Sequence, residues 1–332
     1  MWVAETQKSA IPGRSASIRE WILSLLGETV LTSWELIKIT VPVVILTKIL
    51  EELGMITCLS YLLEPVMGLV GLPGSLGLVW ATAMLTNIYG GMAVFAALAP
   101  DLSLTGAQVT ILCTMMLIAH TLPLELSISR RAGAAVLPIA ALRVGGAVLY
   151  AVLLDRLCLW LDLWQEPARL LFKTGEIERN LGAWAVDQLV NLGMIIVVIF
   201  GIMVCMRLLR AIGVLSLFER LLGPVLPVFG MSRQAAPLTV VGMVMGLSYG
   251  GALIIREACS GKLDRREIFY SMVLMGICHS LVEDTLLMVA LGARFGGIFW
   301  GRILFSLGIV FCIVRLSRFI EQRTTRIPTG TA

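Results

Sequence analysis

Histidine is scarce in this sequence, with only two among 332 residues. Charged residues are also few, at 14%, whereas hydrophobic residues reach 58% and the mean hydropathy is +0.91. This composition excludes an ordinary water-soluble domain, because several apolar runs are long enough to cross a bilayer. We predict an all-α, polytopic integral membrane protein with about eight to ten spans, some of them broken or re-entrant.

The sequence also lacks the motifs of several enzyme classes. It contains no phosphate-binding loop and no HExxH zinc motif. Its seven cysteines are scattered singly, without a CxxC pair. The net charge of +4 is modest and is distributed over loops and tails, which is typical of charge that sets membrane topology. We therefore expect no enzyme, no resident cofactor and no nucleic-acid partner.

The two histidines, His120 and His279, lie 159 residues apart. Each follows an apolar helical run, and each is followed five residues later by a carboxylate, Glu125 or Asp284. If the helix continues past His279, Glu283 lies on the same face. Ionisable groups are costly inside a membrane, so a repeated pair suggests a function. The hypotheses are a buried packing pair, a proton relay, a divalent-cation site and hydrogen bonding to a polar solute.

The rest of the chain repeats at nearly the same offset, which predicts an internal duplication. The further matches are Gly54 with Gly213, Leu62–Val66 with Leu221–Val225, Gly71 with Gly230, Thr105 and Gln108 with Asp264 and Glu267, and Arg143 with Arg302. In both halves, the Thr105 and Asp264 positions begin a predicted capping box.

The duplication divides the chain into five segments. We predict an interfacial segment over 1–33, a first membrane repeat over 34–155, an interfacial linker over 156–185, a second repeat over 186–316 and a basic tail over 317–332. The repeats are inverted if the short segments 55–71 and 214–230 cross the membrane, and parallel if they do not. We favour inverted repeats, because these commonly build transporter sites.

A Tyr-Gly-Gly motif also occurs twice, as Tyr89-Gly90-Gly91 and Tyr249-Gly250-Gly251. Paired glycines in a span can serve close helix packing, or they can break the helix where it faces a solute. Discontinuous helices at matched positions favour a binding site. We therefore predict substrate contacts from both motifs and, with a weaker signal, from Asn87 and Ser248.

The last span of each half contains an arginine at a matched position. Arg143 and Arg302 are either side chains that reach toward the interface or charge partners of Glu125 and Asp284. An unpaired arginine deep in a span is costly, so pairing is the favoured interpretation.

The duplicated short segment, the Gly-Gly helix and the polar-centred helix that follows resemble the gate, or nucleoside-recognition, membrane domain. The resemblance covers about residues 34–155 and 186–316. Concentrative nucleoside transporters, the membrane cores of ferrous-iron permeases and spore maturation membrane proteins share this domain. The resemblance implies an inverted-repeat fold with broken helices around a central solute site. The iron permeases also carry a GTPase domain and a cysteine in the glycine-rich motif, and neither is visible here.

These observations lead to three functional hypotheses. The first is a secondary transporter, proton- or cation-coupled, of a nucleoside-like or other small polar solute in the plasma or inner membrane. The second is a divalent-metal permease that uses the histidines and carboxylates as ligands. The third is a non-transporting membrane component of a complex. Expected partners are the lipid bilayer, the solute or cation and a second copy of the chain.

Overall fold

The computed structural model describes residues 18–99, 102–170, 181–229, 231–232, 234–261 and 263–324. These residues form helices and contain no β-strand. In chain order the helices are α1 (Ile18–Glu52), α2 (Met55–Leu69), α3 (Leu76–Leu85), α4 (Ile88–Leu98), α5 (Gly106–Ile118), α6 (Leu122–Arg131), α7 (Val136–Trp160), α8 (Leu181–Ala211), α9 (Val214–Leu222), a 3₁₀ turn (Leu226–Phe229), α10 (Ala235–Met245), α11 (Leu247–Cys259), α12 (Arg265–Ile277), α13 (Glu283–Ala290), a π-helical segment (Gly296–Gly301) and α14 (Arg302–Thr324).

Five helical segments of the described residues are long and apolar enough to cross a membrane. They are Leu23–Glu52, Gly106–Arg131, Val136–Trp160, Ala185–Leu209 and Gly296–Phe319. Four shorter apolar helices accompany them: α2, α3, α4 and α10. The predicted class, an all-α polytopic membrane protein with broken helices, is confirmed.

The same order of helices occurs in both halves of the chain. The starting residues of matched helices are 159 residues apart in four cases: Met55 and Val214, Leu76 and Ala235, Ile88 and Leu247, and Gly106 and Arg265. Both copies contain a short helix, two half-length helices separated by a break, a capped helix that leads to the histidine, and a final long helix. The internal duplication therefore extends from the sequence to the secondary structure, while the inverted arrangement stays a prediction.

The predicted segment boundaries differ from the helix boundaries in three places. Helix α1 runs without interruption from Ile18, so residues 18–33 continue into the first span, and residues 1–17 lie outside the described part. Helix α8 begins at Leu181, inside the predicted linker. Helix α14 continues to Thr324, past the predicted start of the tail.

The described part of the linker packs on the N-terminus of α5. Gly106 N donates to Glu166 O at 2.9 Å, and Ala107 N donates to Trp164 O at 2.8 Å. Glu166 also forms an ion pair with Arg294. The linker therefore satisfies backbone amides that open α5, in addition to any interfacial role.

The chain divides into two compact units, which do not coincide with the sequence halves. Unit 1 comprises Met1–Pro123, Ala147–Val214 and Val282–Ile298. Unit 2 comprises Leu124–Gly146, Leu215–Leu281 and Phe299–Ala332. Each unit thus contains the broken helices and the histidine of one repeat, together with the carboxylate-bearing helix of the other repeat: α13 in unit 1 and α6 in unit 2.

Each unit contains one pair of half-length helices. In unit 1, α3 ends at Leu85 and α4 begins at Ile88, with Asn87 in an extended conformation between them. In unit 2, α10 ends at Met245 and α11 begins at Leu247, and the break falls at Gly246, whose φ is +98°. A side chain is strained at this φ, so glycine is the residue that suits the break.

Both predicted capping boxes are present. The Thr105 side chain accepts from Gln108 N at the start of α5, and the Asp264 side chain accepts from Glu267 N at 2.7 Å at the start of α12. In each box, the third helical side chain bonds back to the cap residue.

We expect Asp264→Ala to lower the free energy of unfolding by about 1 kcal/mol, because an orphan amide at the start of α12 loses its acceptor. Asp264→Asn is the matched control and should cost only a few tenths of a kcal/mol, since asparagine caps nearly as well. Denaturant titration in mixed micelles measures both values. Equal losses for the two variants would contradict the capping role.

Candidate functional site

Both histidines lie at a helix end, in a strained turn. Helix α5 ends at Ile118, two residues before His120, and α12 ends at Ile277, two residues before His279. The residue after each histidine has a positive φ, +49° at Thr121 and +44° at Ser280. Non-glycine residues rarely adopt this conformation, and such strain concentrates at functional sites.

Each histidine turn is bonded to the broken helices of its own unit. In unit 1, Thr121 N donates to Ala83 O at 2.9 Å. In unit 2, Leu281 N donates to Met243 O at 2.8 Å. Both acceptors lie in the last turn before a helix break, where carbonyls lack their usual intrahelical donors. The break therefore supplies acceptors that hold the histidine turn in place.

In unit 2, three buried ionisable side chains contact one another in a row. Arg143 Nη1 forms an ion pair with Glu125 Oε2, and the two side chains are 1% and 7% exposed. The other carboxylate oxygen, Oε1, lies 3.1 Å from His279 Nε2. Gly276 makes room for the arginine, because a Cβ there would lie 3.3 Å from Arg143 Cδ. Glu125 is thus held between a guanidinium and an imidazole.

The orientation of the His279 imidazole follows from its hydrogen bond to a backbone carbonyl. His279 Nδ1 lies 2.8 Å from Met275 O. A carbonyl only accepts, so Nδ1 carries a hydrogen and Nε2 faces Glu125. The Nε2–Glu125 contact therefore contains a proton on either the ring or the carboxylate. An arrangement of this kind can hold a proton and pass it on.

Unit 1 contains the corresponding histidine with acidic neighbours. His120 Nδ1 lies 2.9 Å from Met116 O, the same bond to the fourth preceding residue. Ligand-capable atoms of His120 and Asp284 lie within 4.8 Å of each other. Tyr89, which is half-buried, interacts electrostatically with Glu283 and Asp284. Unit 1 therefore collects one imidazole, two carboxylates and a phenol.

The continuous helix that the i, i+4 pairing of His279 with Glu283 assumes is not observed. The helix ends before the histidine, and Glu283 begins α13 as part of unit 1, whereas His279 belongs to unit 2. The i, i+4 spacing assumes a continuous helix, so it does not apply across this turn.

The glycine pairs lie inside helices, after the breaks. Gly90 N donates to the Asn87 side chain at 2.9 Å, and Gly250 N donates to Gly246 O at 3.0 Å. Both amides therefore form hydrogen bonds within the first turn of their helix.

The glycines also allow close packing of the half-length helices. A Cβ on Gly91 would lie 2.8 Å from Ala83 Cβ, and one on Gly250 would overlap Gly242 Cα. The glycines thus permit α3 to pack on α4 and α10 to pack on α11.

The remaining predicted residues have the following places. Arg302 is fully buried in unit 2. Gly251 packs against Ile128, where a Cβ would overlap the isoleucine Cγ2. The side chains of Ser248 and Tyr249 lie outside the described part of the chain.

Sequence reasoning missed Met116, Met275, Thr121 and Ser280. The methionines act through backbone carbonyls, which carry no side-chain signal. A left-handed threonine or serine is likewise invisible in sequence, since both residues usually avoid that conformation.

Comparison with known proteins gives the class. The family model described as Gate, nucleoside recognition, matches residues 192–297, which include His279, Asp284 and the second Tyr-Gly-Gly motif. The chain is thus a helical membrane protein whose residues 192–297 match the Gate model, and the resemblance is confirmed there. Among curated proteins it is similar to the "Uncharacterized membrane protein YvoD" of Bacillus subtilis, with 29% identity over 271 residues, 79% of this chain and 83% of that protein. No solved structure matches the chain.

Proposed function

We propose that this protein is a secondary transporter of a small, nucleoside-like polar solute in the plasma or inner membrane. The observation that carries the proposal is the set of buried contacts in unit 2 that join Arg143 to Glu125 and Glu125 to His279. The proposed activity is transport rather than catalysis, without a resident cofactor or a nucleic-acid partner.

The energetics of burial favour a functional role over a packing role. Apolar side chains of similar volume usually replace a buried ion pair with little loss of stability, and sometimes with a gain. Glu125 and Arg143 lie in candidate spans, and His279 is buried beside them. Ionisable groups placed in this way are a costly means of packing helices. Their position beside a strained turn and a broken helix is the setting in which transporters bind solutes and coupling ions.

The two histidine groups suit different parts of such a cycle. In unit 2, Glu125 faces His279 and pairs with Arg143, and a proton can reside on the imidazole or the carboxylate. In unit 1, Asp284 lies near His120, and Tyr89 lies near Asp284 and Glu283; together these groups offer acceptors suited to ribose hydroxyls or base amino groups. We assign coupling to the unit 2 group and solute contacts to the unit 1 group. The family description, nucleoside recognition, supports this class of solute.

We expect His120→Gln with His279→Gln to reduce uptake of radiolabelled uridine and adenosine into proteoliposomes by about tenfold or more, the effect of losing one charge-assisted hydrogen bond. We also expect the pH dependence of uptake to flatten, because the variant lacks both imidazoles, the groups that can exchange a proton with the neighbouring carboxylates. Thr239→Val is the control, since it removes a buried hydrogen bond to Ser271 outside both groups. A wild-type protein that takes up neither nucleoside would contradict the proposal.

Divalent-cation permeation is the second candidate, and the proximity of His120 to Asp284 favours it. Imidazole and carboxylate together suit zinc, manganese and iron. In this case proteoliposomes should take up Mn²⁺ or Zn²⁺ without nucleoside, and Asp284→Asn should abolish that uptake. Nucleoside uptake with no cation uptake would exclude this candidate.

A further inference from the structure

A cavity of about 230 Å³ lies in unit 1, away from both histidine groups. The end of α2, the start of α5 and the end of α7 line it, together with the beginning of the linker. Its polar and charged lining comes mainly from Gln108, Asp155, Arg156 and Gln165, and its apolar rim includes Leu159.

Asp155 lies deep in this cavity. Its side chain is 10% exposed and packs on the backbone of Gly71, where a Cβ would overlap Asp155 Oδ1. Within the described residues, the one charged group beside it is the neighbouring Arg156, whose Nη1 lies 3.8 Å from Oδ2. Arg156 is itself 66% exposed. The cavity therefore presents an inner carboxylate and an outer guanidinium.

The two amide donors of Gln108, which lines the cavity, form hydrogen bonds with other acceptors. Gln108 Nε2 donates to Gly71 O at 2.9 Å, and Gln108 N donates to the Thr105 hydroxyl at 3.2 Å. No hydrogen bond from a described residue reaches the Asp155 carboxylate. A mostly buried carboxylate that receives no hydrogen bond from the described residues can accept one from a cationic donor that enters the cavity.

The surroundings indicate where such a donor comes from. Asp155 lies near the C-terminal end of a candidate span, Val136–Trp160. Leu157, Leu159, Trp160 and Leu161 follow it and are exposed. Exposed leucines beside a tryptophan at the end of a span are typical of the level where lipid headgroups meet acyl chains.

We propose that this cavity binds the headgroup of a phosphatidylethanolamine-type lipid. Asp155 accepts hydrogen bonds from the primary ammonium, Arg156 contacts the phosphate at the mouth, and the acyl chains run along Leu159. A primary ammonium fits better than the quaternary ammonium of choline lipids. Quaternary groups are held by aromatic rings, and none is among the described residues that line the cavity. An anionic headgroup without an amine would face the carboxylate unfavourably.

Native mass spectrometry of the detergent-purified full chain tests this assignment with phosphatidylethanolamine, phosphatidylcholine and phosphatidylglycerol of identical acyl chains. We expect the wild type to bind the ethanolamine lipid about tenfold more tightly than the choline lipid, the effect of one charge-assisted hydrogen bond. Asp155→Asn should remove this preference. Asp162→Asn is the matched control: it makes the same charge change at an exposed position outside the cavity lining, so the preference should remain.

Three outcomes would overturn the proposal. They are a wild type without preference for the ethanolamine lipid, an Asp155→Asn variant that retains the preference, and a preference for phosphatidylglycerol. Free phosphoethanolamine is added as a competitor to identify the source of the headgroup. Binding as tight as that of the lipid would overturn the lipid assignment in favour of a soluble zwitterion. The wild-type preference decides the question even if Asp155→Asn fails to fold.

Discussion

Glu125→Leu is expected to lower the free energy of unfolding by about 3–5 kcal/mol, the usual cost of removing one partner from a buried ion pair. The variant leaves Arg143, which is 1% exposed, without this carboxylate and removes the hydrogen bond between Glu125 and His279 Nε2. The loss should therefore exceed that of most single substitutions. Unfolding in mixed micelles of detergent and denaturant measures it.

A second substitution distinguishes the loss of the ion pair from the change in packing that leucine causes. Glu125→Leu with Arg143→Met should recover most of the lost stability, because no buried charge remains. Transport should stay lost in the double variant, since neither apolar side chain can hold a proton. Recovery of both stability and transport would show that Arg143, Glu125 and His279 serve packing alone.

Glu52→Gln is the control for the ion-pair argument. Glu52 Oε1 lies 2.9 Å from Lys48 Nζ, and its side chain is 66% exposed. Surface pairs of this kind contribute less than about 1 kcal/mol. A loss for Glu52→Gln as large as that for Glu125→Leu would contradict burial as the cause.

Gly250→Ala should destabilise unit 2 by about 3 kcal/mol or more, at the upper end of the cost of overpacking. A Cβ at this position would overlap Gly242 Cα and would lie 2.9 Å from Gly242 N. These obstacles are backbone atoms, so no rotamer change relieves the overlap, and α10 and α11 must separate. Thermal unfolding in detergent reports the effect.

Gly145→Ala provides the comparison for this variant. Gly145 also lies within a helix, but nothing lies within 4 Å of a Cβ built there. Alanine should therefore be neutral or should stabilise by about 0.5–1 kcal/mol, because glycine is the poorer helix former. If Gly250→Ala and Gly145→Ala have equal stability, the close packing of α10 on α11 is not required for folding.

The sequence carried information about local features because these depend on neighbouring residues. The capping boxes at Thr105 and Asp264 require side chains three residues apart, so both could be located from the printed chain. The apolar runs predicted the membrane class for the same reason. The duplication was visible because matched residues kept their spacing.

The helix breaks were harder to place. The glycine pairs suggested a break at Gly90 and Gly250, but the chain breaks at Asn87 and Gly246. Asn87 was singled out as a solute contact, yet its side chain caps α4. A polar side chain of this type can serve either role, and only the position of the helix start distinguishes them.

By itself, the sequence determined the all-α membrane class, the duplicated order of elements and the residue types that form the two histidine groups. Tertiary structure decided that Glu125 lies with Arg143 and His279, and that Asp284 lies with His120, so that each histidine has a carboxylate from the other repeat. The physical reason is that these pairings join residues far apart in the chain. No local spacing or propensity encodes them, and they form only when the packed helices bring the side chains together.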